Sequence, residues 1–167
     1  MKIRLSGTVN DSIVDGPGLR FTIFTQGCPH HCEGCHNPQT HSFDGGYDTD
    51  TDEILNKILE NPLLDGVTFS GGEPFCQAKP LFELGKKLKE NNLSIIIYTG
   101  YTFEYLLKNA SSENYYYELL SIGDYLIDGK FEKDKQSYLL NFKGSSNQRI
   151  LDLKHSMDKK MPIESKL

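Results

Sequence analysis

One stretch restricts this chain more than any other: Cys28-Pro29-His30-His31-Cys32-Glu33-Gly34-Cys35-His36-Asn37-Pro38. Three of the four cysteines crowd into it at C-x3-C-x2-C spacing. It follows an alternating apolar run, Arg20 to Gln26, which Gly27 ends. That pattern predicts a strand whose C-terminal end hands the chain directly to the cysteines. In parallel α/β architectures this edge is where ligands bind. The loop therefore asks for a fold that gathers strand ends around it.

Three thiolates this close in sequence can wrap one small inorganic centre. A cubane four-iron cluster offers four corners, so three cysteine ligands leave one iron open, much as an open zinc position takes water or substrate. Gly34, Pro29 and Pro38 supply the turns such a wrap needs. The residues alone admit other centres. One of His30, His31 or His36, or the distant Cys76, would complete a tetrahedral zinc site. Zinc knuckles usually bring two C-x2-C-like pairs, and only one is present. An iron–sulfur electron carrier normally needs four protein ligands, which again would call on Cys76. A disulfide framework fits poorly with cysteines packed into one loop of a chain this size.

The remainder reads as alternating strands and helices. Ile3 to Val9 predicts a short leading strand, and Asp15-Gly16-Pro17-Gly18 a turn-rich loop. His41 to Asp50 reads as loop, and Thr51 to Glu60 as a helix with Ile54, Leu55, Ile58 and Leu59 on one face. Val67 to Ser70 is a strand that runs into Gly71-Gly72-Glu73-Pro74, where two glycines permit close backbone approach and Glu73 is an acceptor for a ligand ammonium; the same four residues also make ordinary turn chemistry. Pro80 to Glu90 predicts a helix and Ser94 to Thr99 a strand buried on both sides. Helices follow to Asn109 and over Glu113 to Ile122. Tyr125 to Ile127 is a strand ending in Asp128-Gly129-Lys130, and Ile150 to Leu153 a last one. Free Cys76 reads as a small buried apolar residue, and Arg149 as a partner for a carboxylate. Repeated strand–helix units imply a parallel sheet. With 167 residues, the chain is too short for eight units, so the fold class is α/β with an open, partial β/α barrel. A single domain over 1–157 is expected, with a frayed polar tail over 158–167.

Charge and hydropathy narrow the function classes. A net charge of −5 argues against a protein built on nucleic-acid backbone contacts. No apolar run reaches membrane-span or signal-peptide length, so a cytoplasmic location is expected, where clustered cysteines serve metals or catalysis.

The motifs together resemble a known group. C-x3-C-x2-C with Gly71-Gly72-Glu73-Pro74 resembles the radical S-adenosylmethionine (SAM) superfamily. Asp15-Gly16-Pro17-Gly18-Leu19-Arg20, Gly34-Cys35-His36-Asn37-Pro38 and Gly144-Ser145-Ser146-Asn147-Gln148-Arg149 narrow the resemblance to the activating proteins of anaerobic (class III) ribonucleotide reductases. The resemblance implies a radical SAM-type partial barrel and a [4Fe–4S] cluster on Cys28, Cys32 and Cys35, which would carry the electron transfer. It implies SAM on the open iron, with Gly71, Gly72 and Glu73 at its methionine ammonium and Gly34, Cys35 and His36 along the cofactor. Asp128 and Lys130 resemble an acid and base near the sulfonium or a cation. Flavodoxin or a similar donor would supply the electron, and the anaerobic reductase would receive a glycyl radical. Activation of a pyruvate formate-lyase-type enzyme, and a non-catalytic zinc-binding module, are the rival readings.

Overall fold

Four short apolar strands pair in parallel at the centre of the molecule: β2 (Arg20–Thr25), β4 (Gly66–Gly71), β5 (Ser94–Tyr98) and β6 (Tyr125–Asp128). The computed structural model describes residues 1–167. Two antiparallel strands extend the sheet on one side, β1 (Lys2–Ser12) beside β2 and β3 (Tyr47–Asp50) beyond it. One more, β7 (Arg149–Asp152), extends it beside β6. The order β3-β1-β2-β4-β5-β6-β7 never closes on itself. The open partial barrel expected from the sequence is the architecture observed.

Strand alternation divides the sheet's two faces. Phe21, Ile23, Val67, Phe69, Ile95 and Ile97 are fully buried in the main core, with Leu81, Leu84 and Leu88 from α2 (Ala78–Glu90) and Leu119 and Leu120 from α4 (Tyr116–Ile122). Each such side chain contributes about 1.5–3 kcal/mol by leaving water. On α1 (Thr51–Leu59), Asp50 caps the first turn by accepting from the Asp52 amide, and Ile54 and Ile58 complete the core. The short α3 (Phe103–Lys108) is capped by Thr102.

The opposite face carries no helix layer. There Ile96, Ile127 and Ile150 pack as a small second cluster. Arg20 is buried beside them and donates to Thr68 Oγ1, Val67 O, Ser94 Oγ, Ser94 O and Pro17 O at 2.8–3.2 Å. Burial lowers its pKa to about 10. The Asp15–Gly18 turn is thus tied to the sheet by Arg20, not left as a free loop.

Several expectations need correction. Only the four central strands are parallel; β1 and β7 run against their neighbours, because no helix intervenes between β1 and β2 or between β6 and β7. Part of the expected loop over His41–Asp50 is strand β3, whose polar sequence pairs as an edge. The helix expected from Glu113 starts at Tyr116, since Tyr115 takes a left-handed φ of 60°. Parts of the 158–167 segment carry defined backbone contacts. Asp158 and Lys159 end α5 (Leu153–Lys159), the Asp152 amide donates to Ile163 O, and the Ser165 amide donates to Ile150 O. The last residues therefore add to the edge of β7.

Candidate cluster and cofactor site

The C-terminal ends of the parallel strands surround one cavity of about 580 Å³. Its volume lies within the 300–1,000 Å³ usual for cofactor pockets. Cys28, Cys32 and Cys35 all line it, as do Gly71 and Gly72 from the end of β4 and Thr99 and Gly100 from the end of β5. The loop between β6 and β7 roofs it with Phe131, Tyr138 and Phe142. Tyr98 Oη donates to Phe142 O and holds that roof to the sheet. Burial raises the Tyr98 pKa, so the hydroxyl stays protonated and available as a donor.

The cysteines differ in setting. Cys28 is buried, at 8% exposure, whereas Cys32 and Cys35 are partly open. Burial pushes the Cys28 thiol up, while the backbone N–H groups of His30 and His31 pull it down. The Cys35 sulfur accepts from the Asn37 amide at 3.4 Å. Gly34 turns with a φ of +73° between the last two cysteines. His36 lines the cavity and packs against the Phe131 ring at 4.9 Å between centroids. No three His, Cys, Asp or Glu groups converge on a point suited to one metal ion. Three thiols lining one roomy cavity fit an iron–sulfur centre, whose ligands are Cys thiolates.

Cys76 stands apart. It does not line the cavity and is exposed, contrary to the buried apolar role expected from its sequence context. The thiol itself is pushed up to about 12 by partial burial and by nearby Glu73 and Cys28.

Three further expectations change with the geometry. Glu73 does not face the cavity. It is wholly buried, and both carboxylate oxygens are filled from within. Oε1 accepts from Thr99 Oγ1 and the Gly100 amide at 2.8 Å each and contacts His30 Nε2 at 2.7 Å; Oε2 accepts from the Phe75 amide at 2.9 Å. Of Gly71, Gly72 and Glu73, only the glycines line the cavity. Asp128 is also buried; it caps α3 by accepting from the Phe103 amide and clamps Arg149 through Nε and Nη2 at 3.0 and 2.5 Å. Lys130 is exposed and lies outside the cavity lining. Neither residue is part of the cavity lining.

The Gly144–Arg149 segment has a definite task. Gln148 accepts from the Gly144 and Ser145 amides and donates to Gly129 O; Asn147 donates to Lys130 O. These contacts fold the β6–β7 loop back over the cavity. Sequence reasoning missed this role, and named His30 only as a candidate zinc ligand, not as the partner of Glu73. The only available signal was a run of side-chain donors next to a glycine turn.

A family profile described as a 4Fe-4S single cluster domain matches residues 14–151. The anaerobic ribonucleoside-triphosphate reductase-activating protein of Pasteurella multocida (strain Pm70) is 34% identical over 146 residues, spanning 83% of this chain and 90% of that protein. Its counterpart in Escherichia coli (strain K12) is 31% identical over 150 residues, 85% of this chain and 94% of that protein. The pyruvate formate-lyase-activating enzyme of Clostridium pasteurianum is 39% identical over 116 residues, but these cover 64% of this chain and only 49% of that enzyme. The crystal structure of QueE from Escherichia coli superposes with a TM-score of 0.47 at 20% identity, covering 60% of this chain and 53% of that one. With a single-cluster 4Fe-4S domain through its centre and near full-length correspondence to curated relatives, the chain belongs to the family of anaerobic ribonucleoside-triphosphate reductase-activating proteins.

Proposed function

We propose that Cys28, Cys32 and Cys35 hold one [4Fe–4S] cluster, that SAM occupies the adjoining cavity, and that the protein installs a glycyl radical on an anaerobic ribonucleoside-triphosphate reductase. One observation carries this reading: all three cysteines and the Gly71–Gly72 backbone line the same cavity. When bound, the cluster and SAM supply the one-electron chemistry.

The chain's own residues bind, orient and shield. Cys28 gives the buried ligand, and the more open Cys32 and Cys35 give the outer two. Gly71 and Gly72 bring backbone, unhindered by side chains, to the cavity wall. The Phe131 and Phe142 rings on the roof exclude water from the space above the cysteines. The open edge of the sheet leaves one side of the cavity for a protein segment to enter. Flavodoxin or a similar one-electron donor would deliver the electron, in a reducing cytoplasm that keeps the thiols free.

Near full-length correspondence with reductase activators, against half-length correspondence with a pyruvate formate-lyase activator, favours the reductase as target. The test is anaerobic reconstitution with iron and sulfide, reduction, and electron paramagnetic resonance with and without SAM. A [4Fe–4S]⁺ signal that changes on adding SAM, followed by a glycyl signal on the reductase, is the expected result. One tightly held zinc and no cluster would refute it.

A further inference from the structure

The cysteine loop is attached to the rest of the molecule by few hydrogen bonds. From Pro29 to Cys35, one hydrogen bond leaves for a distant part of the chain, and it joins His30 Nε2 to Glu73 Oε1 at 2.7 Å. The side chains at both ends are shielded, at 6% exposure for His30 and none for Glu73. The His30 ring also meets the edge of Tyr101 at 4.5 Å between centroids. Glu73 is itself immobilised, since the Phe75 and Gly100 amides and Thr99 Oγ1 already fix it between the ends of β4 and β5.

The donor is identifiable. An ionised carboxylate only accepts, and towards it His30 presents Nε2–H.

We propose that His30 is a positioning residue: its side chain, tied to buried Glu73, holds the Cys28–Cys35 loop in register with the Gly71–Gly72 wall. Glu73 acts at one remove, as the fixed post to which the loop is moored. The inference rests on the cluster assignment above and adds a residue that the cysteine pattern does not include.

The test compares reconstituted wild-type protein with His30→Phe and His30→Gln. Phe keeps an aromatic edge for Tyr101 and removes the donor; Gln keeps an N–H donor and removes the ring. Thermal midpoints of the apoproteins and cluster loss to an iron chelator followed by absorbance are recorded. Outer partners of metal ligands typically change affinity 10–100-fold. His30→Phe should accordingly lose its cluster on the order of 10-fold faster. His30→Gln should stay within about 2-fold of wild type. If Phe is not accommodated and the apoprotein does not fold, His30→Ala makes the same comparison without the ring. Equal chelator rates for the donor-free variant and wild type would overturn the proposal, as would a Gln variant as impaired as the donor-free one. Wild-type protein that takes up no cluster would instead sink the cluster assignment, leaving a distinct result.

Discussion

Gly72→Ala puts the geometry under direct strain. The new Cβ would sit 2.4 Å from Gly27 O, 2.9 Å from Gly27 C and 3.0 Å from Thr25 O, where ordinary contact begins at 3.4 Å. All three are backbone atoms, so no side chain can swing away. Gly27 is also pinned on both sides: its amide donates to Thr40 O at 2.7 Å, and its carbonyl accepts from the Glu73 amide at 2.8 Å. Relief requires the end of β4 and the start of the cysteine loop to separate by about 1 Å, taking Cys28 with them. Overpacking of this kind costs about 1–3 kcal/mol. At about 2–4 °C per kcal/mol for a chain this long, the apoprotein's thermal midpoint should drop by about 2–12 °C. A catalytic misplacement near 1 Å can cost about 100-fold, so the rate of reductive SAM cleavage by reconstituted protein should suffer more than stability does. The two readouts are thermal unfolding by circular dichroism and single-turnover cleavage followed by chromatography. A variant that cleaves SAM within about 3-fold of wild type would refute the argument that a tight Gly72–Gly27 approach sets the cysteine loop.

Other predictions address neighbouring parts. Arg149→Ala removes both side-chain bonds to buried Asp128 and leaves it the Phe103 amide alone; urea unfolding should show a loss of about 3 kcal/mol, since an uncompensated buried charge remains. An unchanged midpoint would show that water reaches Asp128. Arg149 also holds the Glu104 carboxyl below its ordinary value of 4.5. The stabilisation from Glu104 is thus present above that value and disappears as pH falls through the depressed one. Acid titration of the thermal midpoint should accordingly be shallower in Arg149→Ala than in wild type. Cys76→Ala should leave iron and sulfide content per chain unchanged, because Cys76 does not line the cavity; a lost cluster would return Cys76 to the ligand set. Cys32→Ala should empty the site, measured by the same iron and sulfide analysis.

Much of the architecture was legible because its signals are local. Alternation in Arg20–Gln26, the apolar run Ser94–Thr99 and the i, i+3, i+4 pattern of Thr51–Glu60 mark two strands and a helix that the structure contains. The antiparallel edges were not legible. Neither the eleven-residue β1 nor the four-residue β7 carries a mark of direction, which depends on how the connection returns to the sheet. Strand β3 was hidden for another reason: Tyr47-Asp48-Thr49-Asp50 is polar and becomes a strand only through its pairing with Lys2–Leu5.

The site divides in the same way. C-x3-C-x2-C spacing by itself places three thiols on one short loop, because covalent reach ties residues this near in sequence together. The side-chain destinations of the acids were a matter for the tertiary structure. Glu73 meets His30 from 43 residues away and Thr99 from 26; Asp128 meets Arg149 across 21 residues and Phe103 across 25. From sequence, each looks like an exposed acid at a strand end, ready for a ligand. In the folded chain, hydrogen-bond donors from several elements converge on each and satisfy it internally, because a buried carboxylate is stable only when fully partnered. The amino-acid order decided which chemistry the loop can host. The packing of strand ends decided which residues face that chemistry and which only hold it in place.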